Sequence, residues 1–109
     1  MIPASCHCGA VRMEIEAAPA EVSDCSCSIC RRLGTLWAYY VPRQVTITGA
    51  TDTYSWGAKQ LAFHRCKVCG NATHWSSLHG LDRMGVNARL MEPDVLARAT
   101  LRKIGPGRS

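Results

Sequence analysis

The chain has 109 residues, of which 47% are hydrophobic and 19% are charged, a balance that is typical of one globular domain and excludes an intrinsically disordered chain. No apolar run approaches the roughly 20 residues that a membrane-spanning helix needs, so we expect no such helix. The formal net charge of +5 is spread along the chain, densest at residues 98–103, and favours a solvated basic surface over a nucleic-acid interface.

The first 20 residues lack the apolar core of a secretory signal. Polar and charged side chains interrupt each apolar stretch, namely Cys6, His7, Arg12, Glu14 and Glu16. We therefore expect a cytoplasmic protein whose cysteines stay reduced. Since seven cysteines cannot pair completely within one chain, metal binding is the leading explanation for them. We expect one domain over residues 1–104 and a flexible tail over residues 105–109.

Alternation of apolar and polar residues predicts that most of the domain is β-strand. Val11, Met13 and Ile15 alternate with charged residues, which is typical of a strand with one buried face. The predicted strands, in chain order, cover residues 11–16, 36–41, 45–48, 61–66, 72–75 and 84–86. Single helical turns are predicted at residues 28–33 and 93–98. The expected fold class is mainly β, with few short helical turns.

Two cysteine clusters, at residues 6–9 and 66–70, predict a closed zinc site. The second contains C-x-x-C before glycine, the common knuckle of structural zinc, in which two thiolates reach one ion. The first contains C-x-C entering a strand, which would place both sulfurs on one face. The expected site is the four-cysteine group of Cys6, Cys8, Cys66 and Cys69.

The remaining cysteines, Cys25, Cys27 and Cys30, form a three-cysteine group within six residues. Three thiolates on one loop leave the fourth position of a zinc ion open, as in catalytic zinc sites. Zinc there would hold an incoming thiol as thiolate at neutral pH. The alternatives are a redox trio, an iron–sulfur site and a structural site closed by a histidine. The candidate histidines are His7, His64, His74 and His79.

The order of these motifs resembles the glutathione-dependent formaldehyde-activating enzyme family, also described as centromere protein V-like. The resemblance rests on C-x-C-G at residues 6–9, on C-x-C-x-x-C-R-R-x-G at residues 25–34 and on C-x-x-C-G at residues 66–70, and it covers about residues 5–87. It implies an Mss4-like β-tent of small antiparallel sheets with zinc knuckles. It also implies a structural zinc on the four-cysteine group and a catalytic zinc on the three-cysteine group.

The activity implied by the resemblance is that of a carbon–sulfur lyase, which joins glutathione and formaldehyde to S-(hydroxymethyl)glutathione or runs the reverse reaction. Arg31 and Arg32 are the expected cationic neighbours of the catalytic zinc. We interpret His64 and His74 as packed strand histidines rather than proton carriers. The expected partners are a small-molecule thiol and an aldehyde, with no membrane and no nucleic acid. The alternative function is a non-catalytic, zinc-stabilised module that binds protein or nucleic acid.

Overall fold

The alternating segments of the sequence form β-strands in a computed structural model, which describes residues 1–105. The strands are β1 (Ile2–Ser5), β2 (Arg12–Ile15), β3 (Glu21–Cys25), β4 (Trp37–Tyr40), β5 (Val45–Thr48), β6 (Thr51–Tyr54), β7 (Leu61–Cys66), β8 (Ala72–Ser77), β9 (Met84–Asn87) and β10 (Thr100–Ile104). The helices are α1 (Cys30–Leu33) and α2 (Pro93–Ala97), and Pro42–Gln44 and Ala88–Leu90 form 3-10 turns. The predicted mainly β fold class is confirmed.

The strands form two sheets. The small sheet has the order β1-β2-β5, and the large sheet has the order β10-β3-β4-β9-β8-β7-β6. All neighbouring strands are antiparallel, except that β10 runs parallel to β3. Because short hairpins connect several of these neighbours, the turns between strands become the places where distant cysteines can meet.

One hydrophobic cluster joins the two sheets. Met13 and Ile15 of β2 are fully buried, and they belong to the same cluster as Ala38 of β4 and Val86 of β9. The charged residues between them on β2 are exposed, so the predicted alternation is confirmed. Burying a side chain of this kind contributes roughly 1.5–3 kcal/mol. The shared core fixes the small sheet against the large one.

Four strands were not predicted, namely β1, β3, β6 and β10. The outer strand β6 has three exposed residues and one half-buried residue, so it carries no apolar alternation. The same holds for β10, which contains most of the densest basic stretch and is exposed over Thr100–Lys103. An edge strand without a buried face shows no alternation of apolar and polar residues, so its sequence does not predict a strand.

The helical turns lie where the sequence predicts them, with slightly shorter bounds at α1 and α2. The predicted tail at residues 105–109 lies outside the described residues except for Gly105. The domain boundary at residue 104 stays a prediction. Within residues 1–105, no helix is both long enough and apolar enough to span a membrane.

Candidate metal centres

The structure brings the four-cysteine group together from two turns that lie far apart in the chain. Cys6 and Cys8 lie between β1 and β2, whereas Cys66 ends β7 and Cys69 lies in the turn to β8. The four sulfur atoms lie within 4.8 Å of one another. The expectation that Cys6 and Cys8 share one face of a strand is wrong. A turn closed by the hydrogen bond from Gly9 N to Cys6 O, 3.1 Å long, brings their sulfurs together instead.

The spacing of these sulfurs fits a tetrahedral zinc ion. The Sγ of Cys8 lies 3.7 Å from the Sγ of Cys6 and 3.7 Å from that of Cys66. Two sulfurs bound about 2.3 Å from a tetrahedral zinc are about 3.8 Å apart. Gly70, with φ +79°, turns the chain out of the second knuckle through the left-handed region that favours glycine.

Backbone N–H groups point at the sulfurs of both turns. Val11 N donates to Cys6 Sγ at 3.3 Å, Ala10 N donates to Cys8 Sγ at 3.4 Å, and Val68 N donates to Cys66 Sγ at 3.3 Å. Such bonds favour the thiolate form, which is the form that binds metal. The turns therefore supply both the ligands and the dipoles that a zinc–thiolate cluster needs.

The pKa values of the clustered thiols diverge. A hydrogen bond from the backbone of Asn71 lowers the pKa of the Cys69 thiol to about 6. The N–H of Ala10 acts in the same sense on Cys8, but partial burial and the neighbouring sulfurs, first that of Cys6, raise the pKa of Cys8 to about 11. Four adjacent thiols do not all ionise readily, because the thiolates repel one another, and a bound divalent cation would offset that repulsion.

The three-cysteine group is assembled locally, at the junction of β3 and α1. Cys25 is the last residue of β3, Cys27 lies in the following turn and Cys30 begins α1. Their sulfurs lie within 4.8 Å of one another. Among residues 1–105, no histidine or carboxylate joins this group. The alternative of a structural site closed by a histidine therefore has no support in the geometry.

Two N–H donors face the three-cysteine group. Cys30 N donates to Cys27 Sγ at 3.4 Å, and the indole Nε1 of Trp37 donates to Cys30 Sγ at 3.3 Å. Burial opposes ionisation of Cys27, but hydrogen bonds led by that from Cys30 N hold the pKa of Cys27 below its usual range. Burial, with the neighbouring sulfurs, raises the pKa of Cys30 to about 12 despite the Trp37 bond. A cation bound here would offset this cost.

A cavity of about 480 Å³ opens beside the three-cysteine group. All three cysteines line it, and aromatic and aliphatic side chains form its walls. The lining residues are Cys25, Cys27, Ile29, Cys30, Trp37, Tyr39, Trp56, Gly57, Ala58, Gln60, Leu61, Phe63 and Trp75. Sequence reasoning placed Trp37 and Tyr39 in the core or at its edge but missed the cavity, since its walls come from strands and a loop that are distant in the chain.

The aromatic walls are packed in place. The ring centroids of Trp37 and Phe63 lie 6.3 Å apart, and those of Tyr39 and Trp75 lie 6.1 Å apart, both pairs tilted. The indole of Trp75 covers Gly85 so closely that a Cβ there would collide with it. Glycine at this position of β9 is thus what lets the wall approach the sheet.

Arg31 and Arg32 follow Cys30 in α1 and are exposed. The Nη1 of Arg32 donates to the carbonyl oxygen of Ser28 at 2.7 Å. Neither arginine lines the cavity. The role expected for them beside the three-cysteine group stays a prediction.

His64 and His74 form a stacked cross-strand pair on β7 and β8, with ring centroids 4.0 Å apart. Thr51 Oγ1 and Ser76 Oγ occupy the two ring nitrogens of His64, at 2.9 and 2.8 Å. Burial lowers the pKa of both rings, that of His74 to about 3. Both rings are packed on strands and neither lines the 480 Å³ cavity, which agrees with the interpretation as packed strand histidines.

The cysteine pattern and the fold are those of a known family. A family model described as glutathione-dependent formaldehyde-activating enzyme matches residues 1–102. The chain belongs to this family. The family match reaches well beyond residue 87, where the motif resemblance ends, so the Ala88–Leu90 turn, α2 and part of β10 are also family sequence.

A solved structure shares the fold over nearly the whole chain. The crystal structure of a Rhodobacter sphaeroides protein matches with a TM-score of 0.77 and 28% sequence identity. The match covers 93% of this chain and 100% of that one. The Mss4-like β-tent implied by the motifs agrees with this likeness. Both cysteine groups are thus sites able to bind zinc in a member of the glutathione-dependent formaldehyde-activating enzyme family.

Proposed function

We propose that this protein is a zinc-dependent carbon–sulfur lyase, similar to S-(hydroxymethyl)glutathione synthase, that acts on the adduct of a thiol and an aldehyde. The observation that carries the proposal is the position of the three-cysteine group in the wall of the 480 Å³ cavity. Three cysteines are an incomplete ligand set for tetrahedral zinc, and the cavity gives a small molecule access to the missing position. Family membership supports the same reaction, with glutathione and formaldehyde as its named substrates.

The two cysteine groups divide structural and catalytic roles in this proposal. The four-cysteine group has a complete ligand set and joins the β1–β2 connection to the β7–β8 turn, so it serves as the structural zinc site. Cys25, Cys27 and Cys30 face the cavity and serve as the catalytic ligands. A reducing cytoplasm, which keeps all seven thiols available, is part of the proposal.

The reaction needs no oxidant. In the lyase direction the carbon–sulfur bond of the adduct breaks, the electron pair stays on sulfur, and the hydroxyl proton leaves as the carbonyl forms. Zinc on the three-cysteine group would supply a Lewis acid that favours the thiolate form of the sulfur. Cys30 N and Trp37 Nε1 donate to two of the ligand sulfurs, those of Cys27 and Cys30, and hold them in place.

Arg31 and Arg32 offset the negative charge of the three thiolates in this proposal. Both follow Cys30 in the same helix, so their charges stay near the group although the side chains are exposed. Replacing both by Gln should weaken zinc binding by the three-cysteine group at low salt and have little effect at high salt, because salt screens exposed charges. Equal zinc affinity of the variant and the parent at low salt would remove this role.

Zinc stoichiometry and exchange kinetics test the proposed function together. We expect two zinc ions per chain, of which a small competing thiol such as 2-mercaptoethanol perturbs one. We also expect the zinc-loaded protein to accelerate exchange between formaldehyde, thiol and adduct, measured by NMR exchange spectroscopy. A single tightly held zinc, or two ions that no thiol perturbs and no acceleration of exchange, would contradict the proposal.

A further inference from the structure

The cavity beside the three-cysteine group is apolar for a site that would receive glutathione. Apart from the thiols, its described lining residues include no lysine, arginine, histidine or carboxylate. Its walls are formed by aromatic and aliphatic side chains, and Gln60 supplies an amide. All three tryptophans of the chain, Trp37, Trp56 and Trp75, line it.

Three arginines lie close to residues of this wall without lining the cavity. Arg65 lines a smaller neighbouring cavity that shares Ile29, Trp37 and Phe63 with this one, and its guanidinium lies 4.0 Å from the carboxylate of Asp52. The guanidinium of Arg83 stacks over the ring of Tyr39, 4.3 Å from its centroid. That of Arg32 binds the carbonyl oxygen of Ser28. None of these three arginines is among the residues that line the 480 Å³ cavity itself.

Charge decides which thiol such a cavity favours. Glutathione carries two carboxylates and one ammonium group at neutral pH, and each loses hydration in an apolar cavity unless a partner replaces it. The neighbouring thiolates add repulsion toward the carboxylates. An uncharged aromatic substituent avoids both costs and gains tilted or offset contacts with the aromatic walls.

We propose that the thiol that reacts in this cavity carries an uncharged aromatic substituent, so that the substrate is the adduct of an arylalkyl thiol with an aldehyde. The inference rests on the proposed lyase function, because the sulfur must face the three-cysteine group. The carbon–sulfur bond breaks, the sulfur takes up the proton that the hydroxyl group releases, and the products are the free thiol and the aldehyde. No electron acceptor is needed.

Intrinsic tryptophan fluorescence reports on this cavity, because every tryptophan lines it. The zinc-loaded full chain is titrated with benzyl mercaptan, with glutathione and with benzyl alcohol. We expect benzyl mercaptan to bind roughly tenfold or more tightly than glutathione, and benzyl alcohol to bind more weakly than the mercaptan. Glutathione binding as tightly as benzyl mercaptan would overturn the inference and leave the lyase proposal standing. If neither thiol binds more tightly than benzyl alcohol, the lyase proposal fails and the inference fails with it.

A matched pair of variants at Gln60 tests the charge argument directly. Gln60 is exposed at the end of the loop before β7, so substitution there leaves the core intact. Gln60→Lys should narrow the preference for benzyl mercaptan over glutathione by at least about threefold, because it adds a cation to the wall. Gln60→Met should keep or widen the preference for benzyl mercaptan, because it replaces the amide in the wall by an uncharged apolar side chain of similar length. An equal preference in the Lys and Met variants would show that charge does not select the thiol and would overturn the inference.

Discussion

Trp37 connects the wall of the cavity to a ligand of the three-cysteine group. Its indole is buried and donates to Cys30 Sγ at 3.3 Å. Outer partners of this kind typically change metal affinity by about 10–100-fold when they are removed. We expect Trp37→Phe, which keeps an aromatic ring but loses the donor, to weaken zinc binding by the three-cysteine group within that range. Titration with a competing chromophoric chelator measures the change.

Trp75→Phe is the matched control for the Trp37 prediction. Trp75 lines the same cavity and packs against Tyr39 and Gly85, but within residues 1–105 its indole donates no hydrogen bond to a cysteine sulfur. The Trp75→Phe variant should keep the zinc affinity of the three-cysteine group within about twofold of that of the parent. If both variants weaken zinc binding equally, cavity packing and not the indole N–H supports the ligand.

His74 gives the folded state a pH dependence of definite sign. Burial, followed by the charge of His64, lowers the pKa of His74 to about 3, whereas an unfolded histidine has a pKa of about 6.5. Between these two pKa values the unfolded chain binds more protons than the folded chain. The contribution of His74 to the free energy of unfolding is therefore complete above about pH 6.5 and is lost as the pH falls below it. When the pH is lowered from 7.5 to 5.5, we expect the free energy of unfolding of His74→Gln to fall by about 1 kcal/mol less than that of the parent.

Urea unfolding at the two pH values measures the His74 effect. The exposed His79 is the control position, and His79→Gln should lose stability on acidification as the parent does. Because loss of zinc at low pH affects the parent and both variants, the quantity compared is the change in each protein's free energy of unfolding between the two pH values. If the free energy of unfolding of His74→Gln changes between the two pH values as much as that of the parent, this ring is excluded as a source of the pH dependence.

At the level of elements, the two cysteine groups differ in what they hold together. Cys66 ends β7 and meets Cys8 of another hairpin, with sulfurs 3.7 Å apart, whereas Cys27 meets residues within three positions of it in the sequence. A zinc that joins distant elements contributes its binding free energy to folding. We expect Cys66→Ser to cost more than about 4 kcal/mol in the free energy of unfolding and Cys27→Ser about 1–2 kcal/mol.

Urea unfolding of both zinc-supplied variants checks this difference, together with the exchange assay. Cys27→Ser should remain folded and lose the acceleration of thiol–aldehyde exchange. Both serines are near-isosteric replacements of buried cysteines, so loss of packing alone predicts equal effects. Equal destabilisation would therefore contradict the division between a structural and a catalytic group.

How far the sequence predicts each element depends on whether one of its faces is buried. β5 was predicted residue for residue, and β2 to within one residue at each end, because their alternation reflects a buried face. β6 and β10 lack that face and were missed. Cysteine spacing predicted the three-cysteine group and each pair of the four-cysteine group, because thiols a few residues apart can lie close together. That the two pairs meet was predicted from the four ligands that a closed zinc site needs. The wrong strand geometry for Cys6 and Cys8 did not change the grouping.

The cavity could not be predicted at the level of single elements. Trp37 lies on β4, Phe63 on β7 and Trp75 on β8, and only the strand order β4-β9-β8-β7 places them around one space. That order depends on which hairpins pair across the sheet. The apolar pattern of one strand does not specify which other strand will pair with it. The small residue that admits Trp75 is Gly85 on β9, a strand predicted for its apolar residues alone.

At the scale of the whole molecule, the four-cysteine group links the small sheet to the far side of the large one. It joins the β1–β2 connection to the β7–β8 turn, whereas the three-cysteine group lies within the β3–α1 junction and opens to the cavity. An ion held by the four-cysteine group would thus be coupled to the contact between the sheets, and an ion held by the three-cysteine group would be coupled to a local turn. Their release by a chelator should therefore occur separately.

We expect a chelator titration of the zinc-loaded protein to show two phases. The first zinc should leave from the three-cysteine group, which has one ligand fewer and opens to the cavity, without loss of the far-ultraviolet β signal. The second should leave at a chelator concentration roughly tenfold or more higher, together with cooperative unfolding, because binding that favours the folded chain is lost with it. A colorimetric zinc indicator and circular dichroism, recorded on the same samples, follow the two events. Release of both ions in one step with unfolding would mean that the three-cysteine group also holds the sheets together, and it would remove the basis for assigning it to catalysis alone.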